Sequence, residues 1–257
     1  MSLIGQNLRT LAHERVDRPL AAFARDYADG EATGWHGHAR AQLLYATQGV
    51  MRVGTPDVHF VVPPGRALWV PAGLSHEVRT EGRVAMRALF FRADAAAVGE
   101  AAPAVLGVSA LLRELILAAC AEPLEWDEAG RGGHLAALIA EEVARAPRLP
   151  FGVPALRDPR LRRLAEALAE SPANDLSLEQ WATRCGASGR TLARLFQAET
   201  GMGFTRWRQV LRLTEAAALL AQGATPARAA AAVGYASAPA FGAAFRAAFG
   251  ITPGGAR

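Results

Sequence analysis

Four side chains in the first third of the chain have the types and spacing of a metal-ligand set. They are His36, His38, Gln42 and His76, in the patterns Gly30-x5-His36-x-His38-x3-Gln42-x6-Gly49 and Gly65-x5-Pro71-x-Gly73-x2-His76. Side chains alternate across a strand, so His36, His38 and Gln42, separated by even steps, project to one face, and His76 would meet them from an opposing strand. Three imidazoles and an amide oxygen suit a borderline divalent ion such as zinc, nickel, iron or manganese, with room for an exogenous ligand. The Gln42 amide carries no negative charge, which weakens cation affinity relative to a carboxylate. The same pattern also fits histidines that line an organic-effector pocket without metal. Glu77, next to His76, has the opposite strand parity and does not make an evident general base. His13, His59 and His134 stand alone and read as surface or structural residues.

A second set lies in the last hundred residues: Ser188, Arg190, Thr191 and Arg194, then Ser237 and Arg246. A guanidinium binds phosphate, or the O6 and N7 of guanine, in a bidentate fork. Serine hydroxyls cap helices whose N-termini can face a phosphate. Every one of the 28 basic residues is arginine, and they are unevenly spread. Residues 1–153 hold 15 arginines against 17 carboxylates, a net of −2, whereas residues 154–257 hold 13 against 7, a net of +6. The basic C-terminal part therefore points either to a polyanionic partner or to arginines that replace lysine through base composition and merely solvate a surface, and the sequence pattern decides between them.

The elements that must position these sets differ in kind. From Ala21 to Arg92, short apolar runs (AQLLYAT, VMRV, HFVV, ALWV) alternate with Gly and Pro, which predicts β-strands of a sandwich or barrel. The aromatic residues Trp35, Tyr45, Trp69, Phe90 and Phe91 fall in this region, most of them as its expected core and one or two as candidates for the pocket mouth. Two amphipathic helices follow, over 109–121 and 134–146, with apolar faces at Leu112, Leu115, Ile116 and Ala119 and at Leu135, Leu138, Ile139 and Val143. Three prolines between 146 and 154 mark a linker. Beyond it Asp158-Pro159 and Ser177-x-x-Gln180 open helices. Gly186 makes a turn ahead of Ser188, and Thr225-Pro226, Gly234 and Ser237 repeat the arrangement about fifty residues later. A helix of about 18 residues, from Phe204 to Ala221 and ~27 Å long at 1.5 Å per residue, separates the two units.

At 257 residues the chain is long enough for two domains at roughly 100 to 200 residues each. Its 51% apolar content is incompatible with a disordered tail. Two cysteines, Cys120 and Cys185, allow neither a disulfide framework nor a paired-cysteine zinc knuckle. No run of ~18 apolar residues free of charge occurs, and residues 1–10 lack the apolar core of a signal peptide. These features predict a cytoplasmic protein with no membrane partner.

The C-terminal residues carry a resemblance. Val233-Gly-Tyr-Ala-Ser237, Phe241, Phe245-Arg246, Phe249-Gly250 and Thr252-Pro253 stand in the order of the AraC/XylS family of bacterial transcription regulators, and the likeness covers about 161–257. It implies a double helix-turn-helix domain reading two adjacent groove segments, with units over about 178–199 and 226–249. The front pattern resembles both cupin motifs, with Gln42 where glutamate is usual and Thr80 where asparagine is frequent. Residues 36–51 also resemble a subgroup of such regulators with metal-type cupin motifs, some associated with exporters of drugs or metabolites.

The expectation is an α+β protein: a cupin-like sensor barrel over 1–100, a helical dimerisation and linker segment over 101–153, and an all-α DNA-binding domain over 154–257. It would be a sequence-specific regulator sensing a metal ion or small molecule, with helices 109–121 and 134–146 either forming a homodimer contact or packing on the barrel, and RNA polymerase as a further candidate partner. Catalysis is not required. The competing reading is a metal-dependent cupin enzyme fused to a DNA-binding domain.

Overall fold

The computed structural model describes residues 4–95 and 102–256. The expected sensor boundary at residue 100 lies outside the described residues. In chain order the elements are α1 (Ile4–Arg15), β1 (Leu20–Tyr27), β2 (Ala41–Ala46), β3 (Val50–Gly54), β4 (Val58–Val62), β5 (Arg66–Val70), β6 (Glu77–Glu81), β7 (Val84–Phe91) and β8 (Ala104–Gly107). Then come α2 (Ala110–Ala121), α3 (Arg131–Arg145), β9 (Arg148–Leu149) and β10 (Gly152–Pro154). The helices α4 (Pro159–Glu170), α5 (Leu178–Arg184), α6 (Gly189–Thr200), α7 (Phe204–Ala221), α8 (Pro226–Ala232) and α9 (Ala238–Phe249) follow, ahead of a 3-10 turn at Pro253–Ala256. The chain divides into two compact units, Met1–Thr55 with Val62–Pro150, and Pro56–Val61 with Phe151–Arg257.

In the first unit a six-stranded antiparallel sheet runs β1-β7-β2-β5-β8-β9, and β3 pairs with β6 in a separate ladder. The strands lie in separate sheets and do not close into the expected barrel, because β1 and β9 end the larger sheet unpaired with each other. Strand alternation gives the large sheet two working faces. Ala41, Leu43 and Tyr45 of β2 join Leu20, Trp69, Leu89 and Phe91 in a core closed by Leu112, Leu115 and Ile116 of α2 and Ala136, Ile139 and Val143 of α3. Gln42 and Leu44, one step out of phase, face a cavity instead. Full burial of a leucine or phenylalanine contributes about 1.5–3 kcal/mol, so the helix-covered face anchors the sheet on which the site is built.

The apolar faces nominated as a dimer contact thus pack on the unit's own sheet. Three of the four residues expected on the apolar face of α3 pack in the core, Ile139 and Val143 buried and Leu135 partly so, but Leu138 is 47% exposed, while Gly132 and Ala136 are buried. The cause is close packing, since a Cβ on Gly132 would come within 2.6 Å of Trp126. Trp126 in turn donates its indole N–H to the Leu20 carbonyl at 3.1 Å. The division between the two units, at residues 150 and 151, falls within the stretch expected as a linker. Trp35 is 43% exposed, outside the core that holds Tyr45, Trp69, Phe90 and Phe91. The proline-rich stretch is extended, with β9 paired to β8 and β10 paired to β4, because proline is tolerated at strand ends and edges.

In the second unit the local signals set the helices. Asp158, Ser177, Ser188, Thr225 and Ser237 each cap a helix through the side chain, and Ser177 with Gln180 forms a complete capping box. Gly186 and Gly234 take φ of +65° and +77° in the two turns, a region open to glycine at little steric cost. Leu161, Leu164, Leu168, Trp181, Leu192, Phe196 and Trp207 form one core. Phe241, Phe245 and Phe249 are buried along α9, and Phe249 stacks on Phe151 at 4.0 Å between centroids.

Candidate metal centre and nucleic-acid interface

His36 and His76 face each other across an isolated antiparallel bridge, with backbone bonds of 2.9 and 2.8 Å in the two directions. His36 and His38 sit on an irregular segment ahead of β2, on either side of Gly37, and not within a regular strand. The rings nevertheless converge, with centroid separations of 4.4 Å for His36 and His76, 4.9 Å for His36 and His38, and 5.5 Å for His38 and His76. One ring nitrogen from each residue lies within 4.8 Å of the other two.

Each Nδ1 is held from behind. His36 Nδ1 donates to the Gly34 carbonyl at 2.8 Å, His76 Nδ1 to the Leu74 carbonyl at 3.0 Å, and His38 Nδ1 to the Glu14 carboxylate at 2.8 Å. Bonds to these acceptors place the proton on Nδ1 and leave each Nε2 lone pair as the ligand atom. His76 Nε2 and Gln42 Oε1 are buried without a hydrogen-bond partner. An orphaned acceptor of that kind costs about 1–3 kcal/mol unless something occupies the space before it. Burial pushes the His36 pKa down, with the neighbouring His38 adding to the effect, and lowers that of His76 to about 4. Both rings are therefore neutral at pH 7, the form that binds metal.

The cavity in front of these groups has a volume of about 30 Å³ and is also lined by Phe23, Arg25, Tyr27, Thr33 and Leu44. No carboxylate lines it among the described residues; Glu77 pairs with Arg79 at 3.5 Å. Sequence reasoning missed Glu14, Phe23, Arg25 and Tyr27. The helix bearing Glu14 was open to detection from Ile4, Leu8 and Leu11 at helical spacing, and Phe23, Arg25 and Tyr27 share one strand parity. Of the lone histidines, His59 and His134 are exposed. His13 packs edge-on against Phe23 at 5.2 Å.

In the second unit, Ser188 Oγ accepts the Thr191 N–H at 3.1 Å and lies 2.9 Å from the Thr191 hydroxyl, which is thereby engaged in the cap. Arg190 and Arg194 of α6 are exposed and make no hydrogen bond or ion pair with the described residues, and the same holds for Arg246 of α9. Other arginines of this half are structural. Arg212 binds the carbonyls of Pro172, Ala173 and Asn174, Arg208 that of Leu176, and Arg160 pairs with Asp158 at 2.7 Å. The exposed positions of α6 include Arg190, Arg194 and Gln197, whereas those of α9 are Ala238, Pro239, Ala240, Ala243, Arg246 and Ala247.

A helix-turn-helix domain model matches residues 181–257, and a cupin domain model matches residues 25–92. Over 249 residues the chain is 30% identical to the HTH-type transcriptional regulator NimR of Escherichia coli, covering 96% of this chain and 91% of that protein. It is 38% identical over 118 residues to the HTH-type transcriptional regulator RipA of Corynebacterium glutamicum, 45% of this chain and 35% of that protein. A solved AraC-type regulator from Chromobacterium violaceum is 31% identical over 38% of this chain and 89% of its own, with a TM-score of 0.37. No helix among the described residues is long and apolar enough to cross a membrane. With its two helix-turn-helix units and the near full-length match to a curated regulator, the chain belongs to the AraC-type DNA-binding transcription regulators, and its residues 25–92 match a cupin domain.

Proposed function

We propose that this regulator senses through a divalent transition metal held by His36, His38 and His76, with Gln42 as a weak fourth ligand, and that occupancy of this centre alters operator binding. The observation that carries the reading is the anchoring of all three Nδ1 atoms, which turns the three Nε2 atoms into one small cavity. A free-standing organic effector needs ~300 Å³ or more. The cavity offers about 30 Å³, the scale of an ion and its nearest exogenous atoms. The lack of a lining carboxylate favours sensing over the enzyme alternative.

On DNA, α6 is the reading helix through Arg190 and Arg194, and α9 is a docking helix using Ser237 and Arg246 on phosphate. Specificity is therefore concentrated in the half-site under α6. Leu111 and Leu138, 52% and 47% exposed, are what α2 and α3 offer a second copy of the chain.

The test is elemental analysis of untagged, dialysed protein. One metal per chain, lost in His36→Ala and His76→Ala, is the expected result. No metal in the wild type after refilling with zinc, nickel, iron or manganese overturns it.

A further inference from the structure

We infer that the pocket binds a small anion with an oxyanion head, held jointly by the metal and by Arg25. This rests on the metal reading above and adds the chemical class of the effector.

The first argument is charge balance. Three imidazoles and an amide are neutral ligands, so a divalent ion in this set keeps both positive charges. Gln42 stands where a carboxylate would have supplied one negative charge, and it is 4% exposed. Glu14 does not line the cavity, and its two oxygens accept from His38 Nδ1 at 2.8 Å and the Ala39 N–H at 3.0 Å. A cation in a poorly hydrated cavity attracts a counter-ion far more strongly than in water, because the interaction scales inversely with the local dielectric constant. The missing charge is supplied from outside.

The second argument is Arg25, which lines the same cavity from β1. Its side chain is only 23% exposed. The guanidinium lies 4.3 Å from the centre of the Tyr27 ring and forms an ion pair with Glu31 at 3.7 Å, too long for a hydrogen bond. A planar fork of donors is thus placed on the wall of a cationic cavity with no hydrogen bond of its own among the described residues. That fork matches an oxyanion in a bidentate way. Glu31, its side chain 43% exposed, offsets the guanidinium charge only in part, and an anion between the guanidinium and the metal is favoured by both. The cavity volume, about 30 Å³, limits the enclosed part of the ligand to a head of a few atoms.

The test uses full-length protein loaded with cobalt(II), whose visible spectrum reports ligand exchange, with uptake measured separately by equilibrium dialysis. Formate and acetate represent carboxylates and nitrite an inorganic oxyanion. Formamide and acetamide are neutral isosteres. Saturable spectral shifts are expected with the anions and none with the amides. Whether the carboxylates or nitrite bind more tightly then separates an organic from an inorganic source. Arg25→Met should weaken anion binding at least tenfold with cobalt stoichiometry unchanged. Gln42→Glu should bind cobalt more tightly and anions at least tenfold more weakly, since the protein then provides the charge itself. A cobalt spectrum unmoved by any anion, equal responses to amides and anions, or an Arg25→Met protein that binds anions as well as the wild type would each overturn the inference while leaving the metal reading intact. Absence of cobalt uptake in dialysis would remove both.

Discussion

Glu14→Gln isolates one bond of the candidate centre. In the wild type, Glu14 accepts two N–H groups, from His38 Nδ1 at 2.8 Å and from Ala39 at 3.0 Å. Glutamine has one oxygen and one amino group, so one of those two donors must face another donor. The negative charge that strengthens the His38 bond is lost as well. The side chains of His38 and Glu14 are 3% and 15% exposed, so water replaces the lost partner poorly. Removing an outer partner of a metal-bound histidine costs roughly 10- to 100-fold in metal affinity. At 1.4 kcal/mol per factor of ten, that is about 1.4–2.8 kcal/mol. The assay is competition for zinc against a chelating dye, with thermal unfolding of the metal-free proteins run alongside to separate affinity from folding. A Glu14→Gln protein within twofold of wild type, measured where His76→Ala has lost the metal, would show that the helix bearing Glu14 has no part in tuning the site.

The remaining predictions concern DNA, acid and one turn. Arg190→Ala should cost about 1–3 kcal/mol of discrimination at one operator position, whereas Arg246→Ala should weaken binding to all sequences and lower the salt slope by about one; equal behaviour of the two in salt titrations and operator-mutation scans contradicts the assigned roles. Metal-free protein should lose stability as the pH falls from about 6.5 towards 4. The unfolded state takes up a proton over that window that folded His76, with its pKa lowered to about 4, refuses. The full effect is on the order of 3 kcal/mol at 1.36 kcal/mol per pH unit. Urea unfolding at pH 7 and pH 5 measures it, and a flat profile, or the same slope in His76→Gln, counts against it. Gly49, between β2 and β3, has φ of +79°, and a Cβ there would come within 2.2 Å of the Arg83 carbonyl oxygen. Gly49→Ala should therefore destabilise the first unit by ~3 kcal/mol from backbone strain and overpacking together, read as a lower urea midpoint.

The DNA-binding half was legible because its determinants are local. Caps at Ser177, Ser188, Thr225 and Ser237, glycines at the turns, and phenylalanines every fourth residue act within one or two helical turns, and the helices begin and end where those residues say. The histidines were legible because their spacing survives any detail of strand geometry; single bridges hold them in place of a regular strand, and they still meet. What was hidden depended on distant pairing. Glu14 reaches His38 across 24 residues, and nothing in either segment marks the other. On α3 the bulk of a side chain is a poor guide at one position: the contact with Trp126 demands glycine at 132, and Leu138 is turned outward while Leu135, Ile139 and Val143 pack inward. Sheet closure, likewise, is decided by which edges meet, and an alternating pattern carries no information about that.

Residues 56–61 belong to the same unit as 151–257. Within it, Gly152, Val153 and Pro154 pair with Phe60, His59 and Val58, Ala155 donates its N–H to the Asp57 carbonyl at 2.8 Å, and Arg157 pairs with the Asp57 carboxylate. The unit that contains the DNA-binding helices therefore draws on two stretches of the chain, one of them inside the segment that matches the cupin domain. A recombination event or an expression boundary placed once, at residue 150, would carry the helices away without the six residues that complete their leading strand and would leave an open ladder where open edges recruit wrong partners. Inheritance of the two halves as one uninterrupted reading frame is the condition under which the second half keeps that strand.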